Sequence, residues 1–107
     1  MIETIALHTR LKPGAVEEYE VAHANIPAEL VAALRDAGVL NWRIWRSGED
    51  LFHLVEVRDY KAMRHALAEN PSNVVWQERM STLLAVEDDY SGDDRGIPKV
   101  WELWERP

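Results

Sequence analysis

Apolar residues recur along this chain with a period that switches between two and about 3.6, and the order of the switches limits the folds open to it. Ile5, Leu7, Thr9 and Leu11 alternate with Ala6, His8 and Arg10, the pattern of a strand with one buried face. Lys12-Pro13-Gly14 ends it. A helical pattern starts at about Ala15, with Glu17, Glu18 and Glu20 near the positive end of its dipole. Pro27 cannot donate to the carbonyl of His23, so a kink or break is expected at Asn25–Pro27. The helix resumes through Glu29–Leu34, and Ala37-Gly38 stops it. Asn41–Arg46 and Leu51–Val57, joined by Ser47–Asp50, read as a β-hairpin. Asp59 can cap a helix over Tyr60–Glu69, which Asn70-Pro71-Ser72 interrupts. Asn73 to about Val86 carries Trp76, Met80, Leu83 and Leu84 at helical spacing. Glu87–Asp94 reads as a solvated acidic loop, and Lys99–Trp104 alternates as a final strand.

The resulting order is β-α-β-β-α-β, an α+β, ferredoxin-like arrangement in which helices cover one face of a four-stranded antiparallel sheet. The uncovered face must meet water, a ligand or a partner. Aromatics fall on both faces of the strands, Trp42 against Trp45 and Trp101 against Trp104, so that face is not expected to be left to water. A homodimer pressed sheet to sheet, with a pocket inside each half, follows as the expectation.

With 107 residues the chain is long enough for one core and reads as a single domain over 1–107. Its formal charge of −7 argues against a nucleic-acid partner, which would need clustered Lys and Arg. Absence of cysteine removes disulfides, thiolate metal sites and cysteine nucleophiles. No apolar run has the length of a membrane span and Met1-Ile-Glu-Thr does not begin like a signal peptide, so no membrane partner and a cytoplasmic location are expected.

Tyr19 and His23 stand four positions apart, so a phenol and an imidazole project from one helical face that is otherwise apolar (Val16, Ile26, Leu30, Leu34). A histidine can give and take protons near neutral pH, and a core histidine bonded to backbone would look the same in sequence. His8 and His53 fall on strands and His65 on the second helical region facing solvent. No pair of histidines has metal-ligand spacing, and the acidic loop lacks an EF-hand pattern. Walker, nucleophile-elbow, dinucleotide and HExxH motifs are absent. No metal or cofactor is therefore expected.

The stretches Pro13-x-x-x-Glu17-Glu18-Tyr19-x-x-x-His23-x-x-Ile26, Glu29-Leu30, Gly38-x-x-Asn41-Trp42-x-Ile44, Val55-Glu56-Val57, Trp76-x-x-x-Met80 and Val100-Trp101-x-Leu103 resemble the L-rhamnose mutarotase family over nearly the full length. The resemblance implies a dimeric α/β-barrel enzyme without cofactor, an isomerase that interconverts sugar anomers. It implies that His23 is the proton donor, and that Tyr19, Trp42, Trp76 and Gln77 contact the sugar. Four departures stand out. Ile26-Pro27-Ala28-Glu29-Leu30 replaces the usual Ile-Trp-Pro-Glu-Leu, Trp76-Gln77 replaces a Trp pair, Trp42 replaces a tyrosine and Lys99 a glutamate. The implied substrate is L-rhamnose or a related deoxyhexose such as L-fucose. The alternatives are a dimeric α/β-barrel monooxygenase, cofactor-free or haem-degrading, and a non-catalytic sugar or small-molecule binder.

Overall fold

In the computed structural model, which describes residues 2–104, the elements run β1 (Glu3–Leu11), α1 (Val16–Ala24), α2 (Ala28–Asp36), β2 (Val39–Ser47), β3 (Asp50–Val57), α3 (Tyr60–Ala68), α4 (Pro71–Ser81) and β4 (Leu84–Val86). The four strands form one sheet in the order β2-β3-β1-β4, with every neighbouring pair antiparallel. This is the expected ferredoxin-like α+β arrangement, with each helical crossover broken in two.

The breaks have local causes. Pro27, extended at φ −58° and ψ 140°, ends any continuity with α1 and starts α2 as its N-cap. Asn70 accepts from the amides of Ser72 and Asn73, and Pro71 takes the first turn of α4, where a missing N–H costs nothing. Asp59 caps α3 through the Ala62 amide at 2.9 Å. Gly48 adopts φ +60° in the two-residue turn between β2 and β3, a conformation that glycine accepts without strain.

Alternation along the strands divides the sheet. Leu7, Thr9 and Leu11 of β1, and Leu51, His53, Val55 and Val57 of β3, are all buried against the helices. The other face carries Trp45, Phe52 and Val86, which remain 55%, 43% and 46% exposed in the single chain. Two apolar clusters fill the helix side. Leu11, Leu30, Leu51, Trp76 and Met80 belong to one, and Leu7, Val55, Val57, Met63 and Leu67 to the other, with Leu34 packed against both.

Three sequence expectations need correction. The helical pattern ending at Val86 stops instead at Ser81, where the hydroxyls of Ser81 and Thr82 donate to the carbonyls of Glu78 and Arg79 and close the last turn. Leu84–Val86 then leaves the helix and becomes β4, pairing with Arg10 and Leu11. Lys99–Trp104 is not a strand. The C-terminal segment meets the β1 edge through the Ile97 amide, which donates to the Ala6 carbonyl at 2.7 Å, and through Gly96, packed close on Ile5 and Ala6. Beyond it the segment pairs with no strand among the described residues, and Val100, Trp101 and Trp104 are 98%, 73% and 78% exposed.

The acidic loop is the third correction. It is not simply solvated, because Asp88 and Asp94 each meet the guanidinium of buried Arg64 at 3.2 Å. Arg64 also donates from Nε to the Tyr60 hydroxyl at 2.8 Å, and Tyr60 in turn donates to Asp94. The ring of Tyr90 lies 4.5 Å from the same guanidinium, in cation–π contact. A helix residue thus holds the loop down over the sheet. No helix among the described residues is long and apolar enough to cross a membrane.

Candidate active site

The helix side of the sheet encloses a cavity of about 220 Å³ between α1, α2, α4 and strands β1 to β4, with Asp88 and Tyr90 of the acidic loop also on its wall. All five residues singled out from the sequence line it: Tyr19, His23, Trp42, Trp76 and Gln77. They come from α1, β2 and α4, so only the folded chain brings them together.

Helical spacing puts the Tyr19 and His23 rings in contact, with centroids 4.1 Å apart and planes tilted by 35°. Trp76 meets the imidazole edge to face at 5.2 Å. Tyr19 and Trp76 are buried and His23 is half-buried, so the imidazole stands at the boundary of core and cavity. Its Nδ1 lies 3.0 Å from the Tyr19 carbonyl. A carbonyl only accepts, so Nδ1 carries the proton, and in the neutral ring Nε2 keeps a lone pair. No described protein group bonds Nε2. Burial lowers the His23 pKa below its ordinary value, partly opposed by the bond to Tyr19 and reinforced by the Arg79 charge. Neutral His23 is therefore the resting form near pH 7.

The other groups complete a small polar set in an apolar shell. Burial, aided by the Asp88 charge, raises the Tyr19 phenol well above its usual pKa, so it stays a protonated donor. Gln77 donates to Asn73 Oδ1 at 3.2 Å, and Asn73 donates to the Leu67 carbonyl at 2.9 Å. This leaves the Gln77 oxygen available to a ligand. Ile26, Leu30, Leu34, Ile44 and Met80 supply the apolar wall.

Sequence reasoning passed over Thr9, His53, Asn73, Asp88 and Tyr90, which also line the cavity. The signal for His53 was present, since it shares the buried register of Leu51 and Val55. Asp88 and Tyr90 had none, because their place depends on the clasp at Arg64. His65 is exposed, as expected. His8 faces the open side of the sheet and bonds Asp50 at 2.8 Å. Among the described residues no group of three or more His, Asp or Glu side chains is arranged to hold a metal ion.

Comparison with known proteins finds this chain similar to sugar mutarotases. The family model for L-rhamnose mutarotase matches residues 4–104. The L-rhamnose mutarotase of Paraburkholderia phytofirmans is 34% identical over 105 residues, covering 95% of this chain and 96% of that protein. That of Acidiphilium cryptum is 34% identical over 104 residues, covering 95% and 99%. Among solved structures, L-rhamnose mutarotase from Formosa agariphila superposes with a TM-score of 0.76 at 24% identity, covering 95% of this chain and 99% of that one. Tetracenomycin F2 cyclase from Streptomyces glaucescens, with a TM-score of 0.60 at 20% identity over 98% and 99% of the two chains, shares the fold alone.

Proposed function

This chain belongs to the L-rhamnose mutarotase family, and from that premise we propose that it is an isomerase interconverting the α and β anomers of L-rhamnose. The observation that carries the reading is the His23 imidazole, fixed in one tautomer by the Tyr19 carbonyl with its other nitrogen free at a cavity that suits one sugar ring. At about 220 Å³ that cavity is smaller than the roughly 300–1,000 Å³ that holds drug-sized ligands. The relatives named above are L-rhamnose mutarotases, which favours this sugar over L-fucose.

Anomerisation opens the pyranose and closes it again. The anomeric hydroxyl loses its proton, the C1–O5 bond breaks as the C1 carbonyl forms, and O5 gains a proton. Rotation about C1–C2 and the reverse steps give the other anomer. Neutral His23 takes the hydroxyl proton at Nε2, and the imidazolium so formed delivers it to O5, so His23 is the proton donor to the ring oxygen. The two oxygens share one carbon, so one imidazole can serve both, and charge balances within the complex. Positioned proton transfer of this kind contributes about 10²–10⁴-fold, enough for a reaction that already proceeds in water. Tyr19 donates to a sugar hydroxyl, Gln77 accepts from another, and Trp42 and Trp76 pack on the C–H face and the 6-methyl group.

The exposed Trp45, Phe52 and Val86 on the open sheet face support a sheet-to-sheet homodimer. Light scattering would read it as twice the chain mass. The activity test is saturation-transfer NMR on L-rhamnose, L-fucose and common D-hexoses with catalytic protein. Exchange between the α and β anomeric protons of L-rhamnose is the expected result. Exchange with L-fucose in its place would redirect the substrate, and silence across the panel from folded protein would refute the enzyme reading. A shifted haem Soret band on titration would favour the monooxygenase alternative.

A further inference from the structure

His53 is a buried histidine on the cavity wall that the proton transfer does not use. Sheet register explains its surroundings. Leu7 and Ile44 stand directly opposite it on β1 and β2, so Thr9 (opposite Leu51) and Trp42 (opposite Val55) are its diagonal neighbours on the same face. The three side chains bond in a row. Trp42 Nε1 donates to His53 Nδ1 at 3.0 Å, and His53 Nε2 lies 2.8 Å from Thr9 Oγ1. An indole N–H can only donate, so Nδ1 must be the acceptor. The neutral ring then carries its proton on Nε2 and donates it to Thr9. Both nitrogens of His53 are spent on protein partners, and so is the only polar atom of the Trp42 side chain.

We propose that His53 is a positioning residue that pins the Trp42 indole through its N–H, so that this wall offers the ligand carbon surface and no hydrogen bond. The row Thr9–His53–Trp42 runs across three adjacent strands of the sheet, so the indole is tied to the rigid part of the fold and not to a loop. Trp42 and His53 rings meet at 75°, with centroids 6.1 Å apart, and Ile44 continues the same carbon surface. Such a wall selects the C–H face and methyl group of a deoxy sugar, since a hydroxyl turned toward it would be buried without a partner. The selection rests on the sugar-isomerase reading. The lock itself does not.

The test uses the full chain labelled with ¹⁵N, comparing wild type with His53→Leu, His53→Gln and Thr9→Val. Trp42→Phe identifies the Trp42 indole resonance. In wild type that N–H is expected to resist solvent exchange, unlike those of exposed Trp45, Trp101 and Trp104. Gln carries an acceptor and a donor side by side and should retain the protected signal, whereas Leu should lose it. In kinetics His53→Leu should raise KM for L-rhamnose about fivefold, the worth of roughly one hydrogen bond, with kcat nearly unchanged. His53→Gln should recover most of that loss. Thr9→Val should shift the indole signal in the same direction and covers the case in which His53→Leu fails to fold. A freely exchanging Trp42 N–H in wild type would overturn the lock, as would an unchanged indole signal in a folded Leu variant. A fall in kcat with KM unchanged would place His53 in the chemistry and overturn the positioning role. If wild type turns over no sugar, the function reading fails, and the indole signal decides the lock on its own.

Discussion

His23 donates its Nδ1 proton to the carbonyl of Tyr19, one helical turn earlier, across 3.0 Å. That bond decides which nitrogen the proposed proton transfer would use. With Nδ1 committed to backbone, Nε2 is the atom left for substrate, and only the neutral ring has a lone pair there.

The pH profile of catalysis follows from it. Burial, with Arg79 adding to it, moves the His23 pKa below the ordinary 6.5. Catalysed anomerisation, corrected for the uncatalysed rate, should be flat from about pH 7 to 8 and fall on acidification, with its half-point below 6.5. A half-point above 6.5 would mean that the imidazolium is favoured in the folded site.

Stability should show the same sign. His53 is also pushed below 6.5, first by burial and then by the Arg64, His23 and His8 charges, against the opposing pull of Asp88. The folded state disfavours both imidazoliums, so the unfolded chain binds those protons more readily and stability rises with pH. This contribution is complete above about 6.5 and is lost as pH falls toward the two depressed values. Urea midpoints should therefore drop between pH 7.5 and 5.5, and the drop should shrink in His53→Gln.

Arg64 is only 2% exposed and grips Asp88 and Asp94. Arg64→Met leaves both carboxylates without their cation and is expected to destabilise the fold by about 3–5 kcal/mol, the usual cost of breaking a buried pair. Hydrogen exchange should also speed up in the segment 88–97, including the Ile97 amide. A midpoint unchanged in urea would show that the clasp is not needed.

Tyr19→Phe keeps the ring that packs on His23 and removes the hydroxyl. The expected loss in kcat/KM is roughly twofold to tenfold, the worth of one neutral hydrogen bond, with stability little altered. A loss of a thousandfold would instead assign Tyr19 a share of the proton transfer.

Much of this site could be read before folding because it depends on local rules. Tyr19 and His23 meet because helical spacing requires it, and Pro27 interrupts the helix because it has no N–H to donate to the His23 carbonyl. Trp42, Trp76 and Gln77 were legible as sugar contacts only through the family resemblance, since strand alternation and helical spacing fit core positions equally well. What escaped depends on distant partners. Leu84–Val86 is a strand only because β1 offers an edge, and Lys99–Trp104 is not one because among the described residues it finds no strand to pair with. The acidic loop reads as solvent-facing until Arg64, 24 and 30 residues before Asp88 and Asp94, draws those two carboxylates inward. His53 was visible as a buried strand position, but its bonds to Thr9 and Trp42 needed the register of three strands.

The proposed mechanism gives the proton transfer to a single imidazole, that of His23. Saturation transfer between the anomeric protons of L-rhamnose, run with wild type and His23→Ala side by side, tests it most directly. Rapid exchange with wild type and at least a tenfold loss in a folded His23→Ala protein are expected. Equal exchange rates in the two proteins would contradict it.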